Sequence, residues 1–160
     1  MSQNRLKMLD MINQNLYSIV VGATGSGKTM QVPQILFEDA IRRREGPYCN
    51  MICTQPRRIA AISVAQRVAE ERNEPLRETV GYHVRFDAKV PYHPHGITYC
   101  TTGVLLQKLK HHPDSVLSAM SHILIDEVHE RDVDIDFLMN PHKAIRGQER
   151  TQGCADVCNS

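Results

Sequence analysis

The chain has 160 residues, 41% of them apolar, with 19 basic and 18 acidic side chains and a formal net charge of +1. That length supports one domain with its own core. The near-neutral balance excludes a chain that holds nucleic acid by bulk charge, so any such surface must be local. No apolar run reaches the ~20 residues of a membrane helix, and the polar N-terminus is unlike a signal peptide. The five cysteines, odd in number and irregularly spaced, read as free thiols in a reducing compartment. Cys154 and Cys158 lack a second pair to complete a metal site, and His93 and His95 read as loop residues.

Residues 5–15 carry Leu6, Leu9 and Ile12, continued by Leu16, at helical spacing. They predict a helix packed near the first strand, Tyr17-Ser18-Ile19-Val20-Val21. Then follows Gly22-Ala23-Thr24-Gly25-Ser26-Gly27-Lys28-Thr29, a match to G-x-x-x-x-G-K-[ST]. Val32, Ile35 and Leu36 place a helix directly after it, so strand, glycine-rich loop and helix come in the order a phosphate site requires. Glycines let consecutive N–H groups turn toward phosphate oxygens. Lys28 supplies a point charge for the β- and γ-phosphates, and Thr29 a hydroxyl for Mg²⁺. The expected ligand is a nucleoside triphosphate. Pro33 lacks the N–H that would bond back to Thr29, so local distortion is expected there. The helix ends at Arg42-Arg43-Arg44 and is broken by Glu45-Gly46-Pro47.

Asn50-Met51-Ile52-Cys53-Thr54 predicts a second buried strand, and Gln55-Pro56-Arg57-Arg58 a turn. Ile59, Ile62, Ala65, Val68 and Ala69 mark one face of a long helix. Residues 79–84 form the third strand and 87–96 a loop. Ile97-Thr98-Tyr99-Cys100-Thr101 is the fourth strand, and Thr102 caps a short helix bearing Leu105, Leu106 and Leu109. Ser121-His122-Ile123-Leu124-Ile125 is the fifth strand. It ends in Asp126-Glu127-Val128-His129, and Ile135, Leu138 and Met139 suggest a further helical turn. Alternating strands and helices predict an α/β fold, a mostly parallel sheet with helices on both faces. The motifs all follow strands, at the carboxyl edge where such sheets bind ligands. The acidic pair suits the second half of a triphosphate site, with Asp126 for the hydrated Mg²⁺ and Glu127 to orient or deprotonate water. Residues 1–139 are read as the domain and 140–160 as an irregular tail.

Four ordered motifs carry a resemblance: Gly22 to Thr29, Thr54-Gln55-Pro56-Arg57-Arg58, Thr101-Thr102-Gly103 and Asp126-Glu127-Val128-His129. Together, over roughly Arg5 to Met139, they resemble the first RecA-like domain of DEAH-box (DExH) RNA helicases of superfamily 2. The segments Val64-Ala65-Gln66-Arg67-Val68-Ala69 and Gly81-Tyr82-His83-Val84-Arg85-Phe86 look like the same family. Ala23 departs from it, since relatives often carry glutamate there. The resemblance implies a RecA-like P-loop domain that uses ATP and Mg²⁺ and holds single-stranded RNA, in an intracellular setting, cytoplasmic or nuclear. It implies backbone contacts from the Thr54–Arg58 segment, Arg57 and Arg58 above all, and from Thr101, Thr102 and Gly103. It implies that Arg67 stacks on the nucleotide base and that His129 links hydrolysis to the RNA side. Lys28, Asp126, Glu127 and His129 would form the catalytic set.

No Ser-Ala-Thr tripeptide follows the acidic motif, and the Gln-x-x-Gly-Arg-x-Gly-Arg segment of a second RecA-like domain is absent. By that resemblance the sheet is incomplete at the C-terminus and unwinding is not expected of this chain alone. An arginine finger from the second domain is worth roughly 10³ to 10⁵ in rate. The phosphate-loop strand is then expected at an exposed sheet edge that a protein partner would cover. The alternative is a non-catalytic nucleotide- and RNA-binding fragment that competes with or regulates a full-length helicase. A small phosphate-loop kinase would explain Gly22 to Thr29 but neither the Pro-Arg-Arg nor the Val-His segment.

Overall fold

The computed structural model describes residues 2–23, 25–127 and 155–158. Helix α1 (Ser2–Gln14) leads into strand β1 (Ser18–Val21), and α2 (Lys28–Arg42) follows the loop. A 3₁₀ turn (Gly46–Tyr48) precedes β2 (Asn50–Gln55), α3 (Arg58–Glu71) and β3 (Val80–Val84). Then come β4 (Asp87–Lys89), β5 (Gly96–Thr101), α4 (Thr102–His111), α5 (Pro113–Ala119) and β6 (His122–Asp126). Strand β7 (Ala155–Cys158) completes the set. Among the described residues the sheet has seven strands in the order β1-β7-β6-β2-β5-β3-β4, all parallel except the β3–β4 pair. The expected α/β architecture, a mostly parallel sheet between helices, is therefore present.

The central strands are apolar on both faces, as a sheet covered on both sides requires. On β2, Met51 and Cys53 join one core with α1, α2 and α3, where Leu9, Phe37, Ala61, Ala65 and Val68 are buried. Ile52 on the same strand faces the other way, into a smaller cluster with Cys100 and Leu105 that α4 and α5 cover. Small side chains on α3 let that helix lie close to the sheet. Two positions expected on the buried side of the first helix are instead exposed, Leu6 in α1 and Leu16 in the link beyond its end, as is Ile59 at the start of α3.

Three stretches depart from the sequence reading. Asp87–Lys89, expected as loop, forms a short strand antiparallel to β3. Its side chains are all exposed, so its pairing depends on the free backbone edge of β3 and not on an apolar pattern. Helix α5 was not expected; Pro113 opens it at the position where a missing N–H costs nothing. Within the stretch expected as an irregular tail, Ala155–Cys158 forms a strand between β1 and β6. The backbone donors and acceptors on both sides of that slot reward even a weakly apolar segment. Among the described residues β1 still ends the sheet, but its neighbour on the β6 side is supplied. The rest of 140–160 and the helical turn expected near Ile135 lie outside the described residues. Among those described, no helix is long and apolar enough to cross a membrane.

His122 opens β6 with 5% of its surface exposed, and its Nε2 has no partner among the described residues. Burial, aided by the nearby Arg43 charge, pushes it down to about 4. The folded state thus holds the neutral ring, whereas the unfolded chain takes up a proton near pH 6.5. Stability is intact above pH 6.5 and is lost as the pH falls from there toward 4. Denaturant midpoints should drop between pH 7.5 and pH 5 in the native chain, by the equivalent of about 1–3 kcal/mol. The drop should shrink in His122→Gln; an equal drop in both proteins would contradict the assignment.

Candidate nucleotide and nucleic-acid site

The phosphate loop curls because Gly25 and Gly27 adopt φ of 75° and 77°, where a β-carbon is strained. Gly27 caps α2, and its carbonyl accepts the N–H groups of Met30 and Gln31. Lys28 is folded back into the loop. Its Nζ donates to the Gly22 carbonyl, to the Ala23 carbonyl at 2.8 Å and to Ser26 Oγ at 3.2 Å. Those neutral oxygens hold the ammonium in the loop that an anion would enter. A phosphate oxygen makes a stronger, charge-assisted bond. Thr24 lies outside the described residues.

Strand register brings the second half together. Thr54 lies opposite Ile125 on β6, so Gln55 and Asp126 follow side by side at the strand ends. The Thr29 hydroxyl donates to Asp126 Oδ2, and Gln55 Nε2 donates to the same oxygen at 2.8 Å. Asp126 Oδ1 accepts the Glu127 N–H at 3.0 Å. Glu127 has φ 56°, a left-handed conformation rare outside glycine and asparagine and often found at functional sites. Lys28, Thr29, Gln55 and Asp126 line one small cleft floored by Pro33, Cys53 and Leu124. Thr29 and Asp126 offer hard oxygen donors at one point, the donor chemistry that Mg²⁺ takes alongside its own waters. Burial, together with the charges of Cys100 and Asp126, pushes the Cys53 thiol well up, so it is apolar filling and not a nucleophile.

Two contacts at the candidate site escaped the sequence. Gln55, expected within the RNA-gripping turn, is 4% exposed and faces Asp126. Only the register of β2 against β6 reveals this. Tyr99 is fully buried and donates its hydroxyl to the Thr29 carbonyl at 3.1 Å. That carbonyl is the one Pro33 cannot serve, being four residues earlier. Helix α2 continues through Pro33, and the tyrosine supplies the donor the proline lacks.

The nucleic-acid candidates share the same edge. Gln55 pairs with Thr101 in the β2–β5 ladder, so Arg57 and Arg58 on one strand's exit stand next to Thr102 and Gly103 on the other's. Arg57, Arg58 and Gly103 are exposed, and Thr101 and Thr102 half-buried. Thr101, not Thr102, is the cap of α4, and it makes no side-chain capping bond. The β3–β4 turn, which ends the Gly81–Phe86 segment noted above for its resemblance, adds a feature to which no contact was assigned. Phe86 is 88% exposed, and the Arg85 guanidinium sits 4.8 Å over its ring. Both line a groove with Thr101 and Gly103. Arg67, on α3, is 70% exposed and lies 3.8 Å from Glu71, which accepts Gln34 of α2 at 2.9 Å. His129 lies outside the described residues.

Replacing Tyr99 by Phe keeps the core filled but strands the Thr29 carbonyl. Tyr99→Phe should lower unfolding stability by about 1–3 kcal/mol, and an unchanged denaturant midpoint would contradict the role given to this hydroxyl.

No protein-family model matches the chain. It is 48% identical to the ATP-dependent RNA helicase DHX30 of Gallus gallus over 139 residues, 87% of this chain and 11% of the relative. Against the DExH-box ATP-dependent RNA helicase DExH1 of Arabidopsis thaliana it is 47% identical over 133 residues, 83% of this chain and 13% of the relative. It is also 45% identical over 135 residues to the ATP-dependent DNA/RNA helicase DHX36 of Mus musculus, covering 83% of this chain and 13% of that protein. The chain thus spans about a tenth of the length of the relatives it matches.

Proposed function

We propose, from the membership of this chain in the DEAH/DExH-box RNA helicase family, that it is the nucleotide-binding RecA-like part of an ATP-dependent RNA helicase. The observation that carries this is the meeting of Thr29 and Gln55 on the Asp126 carboxylate beside the Lys28 loop. Loop N–H groups and Lys28 take the β- and γ-phosphates. Thr29 and Asp126 would hold Mg²⁺, which when bound would supply positive charge to the phosphates as a Lewis acid. Glu127 orients the attacking water and accepts its proton. Arg67 stacks on the base. His129 carries the state of this site toward the RNA.

Arg57, Arg58, Thr101, Thr102 and Gly103 grip the phosphates and sugars of a single strand, which gives little base specificity. Phe86 and Arg85 extend that face with an aromatic and a cationic contact. ATP hydrolysis coupled to movement along RNA, in an intracellular setting, is the activity this reading assigns to the whole protein. A protein partner on the outer edge of β1, where Ile19 and Val21 are each more than half exposed, belongs to the same reading.

A fluorescent ATP analogue with Mg²⁺ tests the assignment. The native chain should bind it, Lys28→Ala should lose at least about tenfold in affinity, and Glu127→Gln should retain binding. Absence of binding by folded native chain would overturn the proposal. Steady-state hydrolysis with and without single-stranded RNA separates an ATPase from a non-catalytic fragment that only holds nucleotide or RNA.

A further inference from the structure

The groove that begins at Thr101 and Gly103 does not stop there. It has a volume of about 820 Å³ and continues down the flank of α4 to Lys108, His111 and His112. One bank is the β3–β4 turn with Arg85 and Phe86, and the other is α4. Among the described residues its walls hold no aspartate or glutamate. The last turn of α4 carries Lys108, Lys110 and His111. The groove is open, carries one fixed cation on each bank, Arg85 and Lys108, and has Gln107, His111 and His112 as further polar lining. Those are the properties of a track for a flexible polyanion.

We propose that this groove is a second, flanking nucleic-acid subsite, in which Lys108, His111 and His112 bind the phosphates of single-stranded nucleotides beyond those held at Gly103. The proposal rests on the RNA-binding reading above, because Thr101 and Gly103 are common to both sites. Continuity and charge select the occupant. Along the same groove as Gly103 lie an exposed aromatic ring with Arg85, then Lys108 and the N–H donors of His111 and His112, the stacking platform and phosphate partners that sequence-tolerant binders combine. Helix α4, ten residues long, runs about 15 Å. That length accommodates about two to four further phosphates at 3.4 Å or more each. No base-edge readout is built into the groove, so the subsite adds affinity and footprint without sequence preference.

Fluorescence anisotropy with uridine oligonucleotides of about six and about twelve residues tests this. The variant is Lys108→Ala combined with His111→Ala and His112→Ala. Leu105 and Leu106, which anchor α4, are untouched. Arg57→Ala serves as the control on the shared face and should weaken both lengths.

The triple variant should bind the short oligonucleotide as the native chain does. It should lose roughly tenfold on the long one, with a salt slope shallower by about 0.7 for each phosphate contact removed. Equal weakening of both lengths would place these residues at the primary contacts and overturn the subsite. No weakening of either length would also overturn it and leave the groove to a partner other than nucleic acid. If the native chain binds neither length, the RNA reading itself falls, and the subsite with it.

Discussion

The carboxyl edge of the sheet is organised around one carboxylate. Asp126 stands at the exit of β6 with one oxygen shared by the Thr29 hydroxyl and the Gln55 amide, and the other turned to the Glu127 N–H. Each donor comes from a different element: the first turn of α2, the end of β2 and the turn after β6. A carboxylate bonded this way fixes those three elements against one another, because losing any donor leaves a partly buried charge without its partner. The phosphate loop is thereby tied to the acidic motif across 97 residues of chain. Gln55 also stands two residues from Arg57. The candidate nucleotide side and the candidate nucleic-acid side thus meet at a buried amide, through hydrogen bonds and a single strand exit.

The backbone around this carboxylate is shaped to suit it. Pro33 in α2 leaves the Thr29 carbonyl without its helical partner, and Tyr99, from the middle of β5, reaches across the core to supply one. This places the residue that carries the hydroxyl to Asp126 under control from the sheet. On the other side of the cleft Glu127 is held in a left-handed conformation. Lys28, meanwhile, spends its three donors on its own loop. Nucleotide entry would exchange those neutral acceptors for phosphate oxygens.

Much of this could be read from the residues. The strand, loop and helix around Lys28, the apolar runs of β2, β5 and β6, and the acidic pair at a strand end are short-range patterns with a local physical cause. What escaped is what depends on distant partners. Gln55 reads as part of a basic turn until β6 is laid beside it. Tyr99 reads as one more apolar strand residue until Pro33 leaves a carbonyl vacant. Strands β4 and β7 have almost no apolar pattern; the edges of β3, β1 and β6 provide their pairing. Ile59 fits the helical spacing of α3 but sits on its first turn, where it is exposed among the described residues.

The central claim is that Thr29 and Asp126 converge to hold a divalent ion against the triphosphate. Mn²⁺ occupies the same oxygen-rich sites as Mg²⁺ and is paramagnetic. Electron paramagnetic resonance of Mn²⁺ with a non-hydrolysable ATP analogue and the native chain, compared with Asp126→Asn and Thr29→Val, reads that convergence directly. The native chain should give a protein-bound Mn²⁺–nucleotide signal with altered hyperfine structure, lost in both variants. A bound signal unchanged by either substitution would mean that the two residues meet for structural reasons alone and that the ion is held elsewhere.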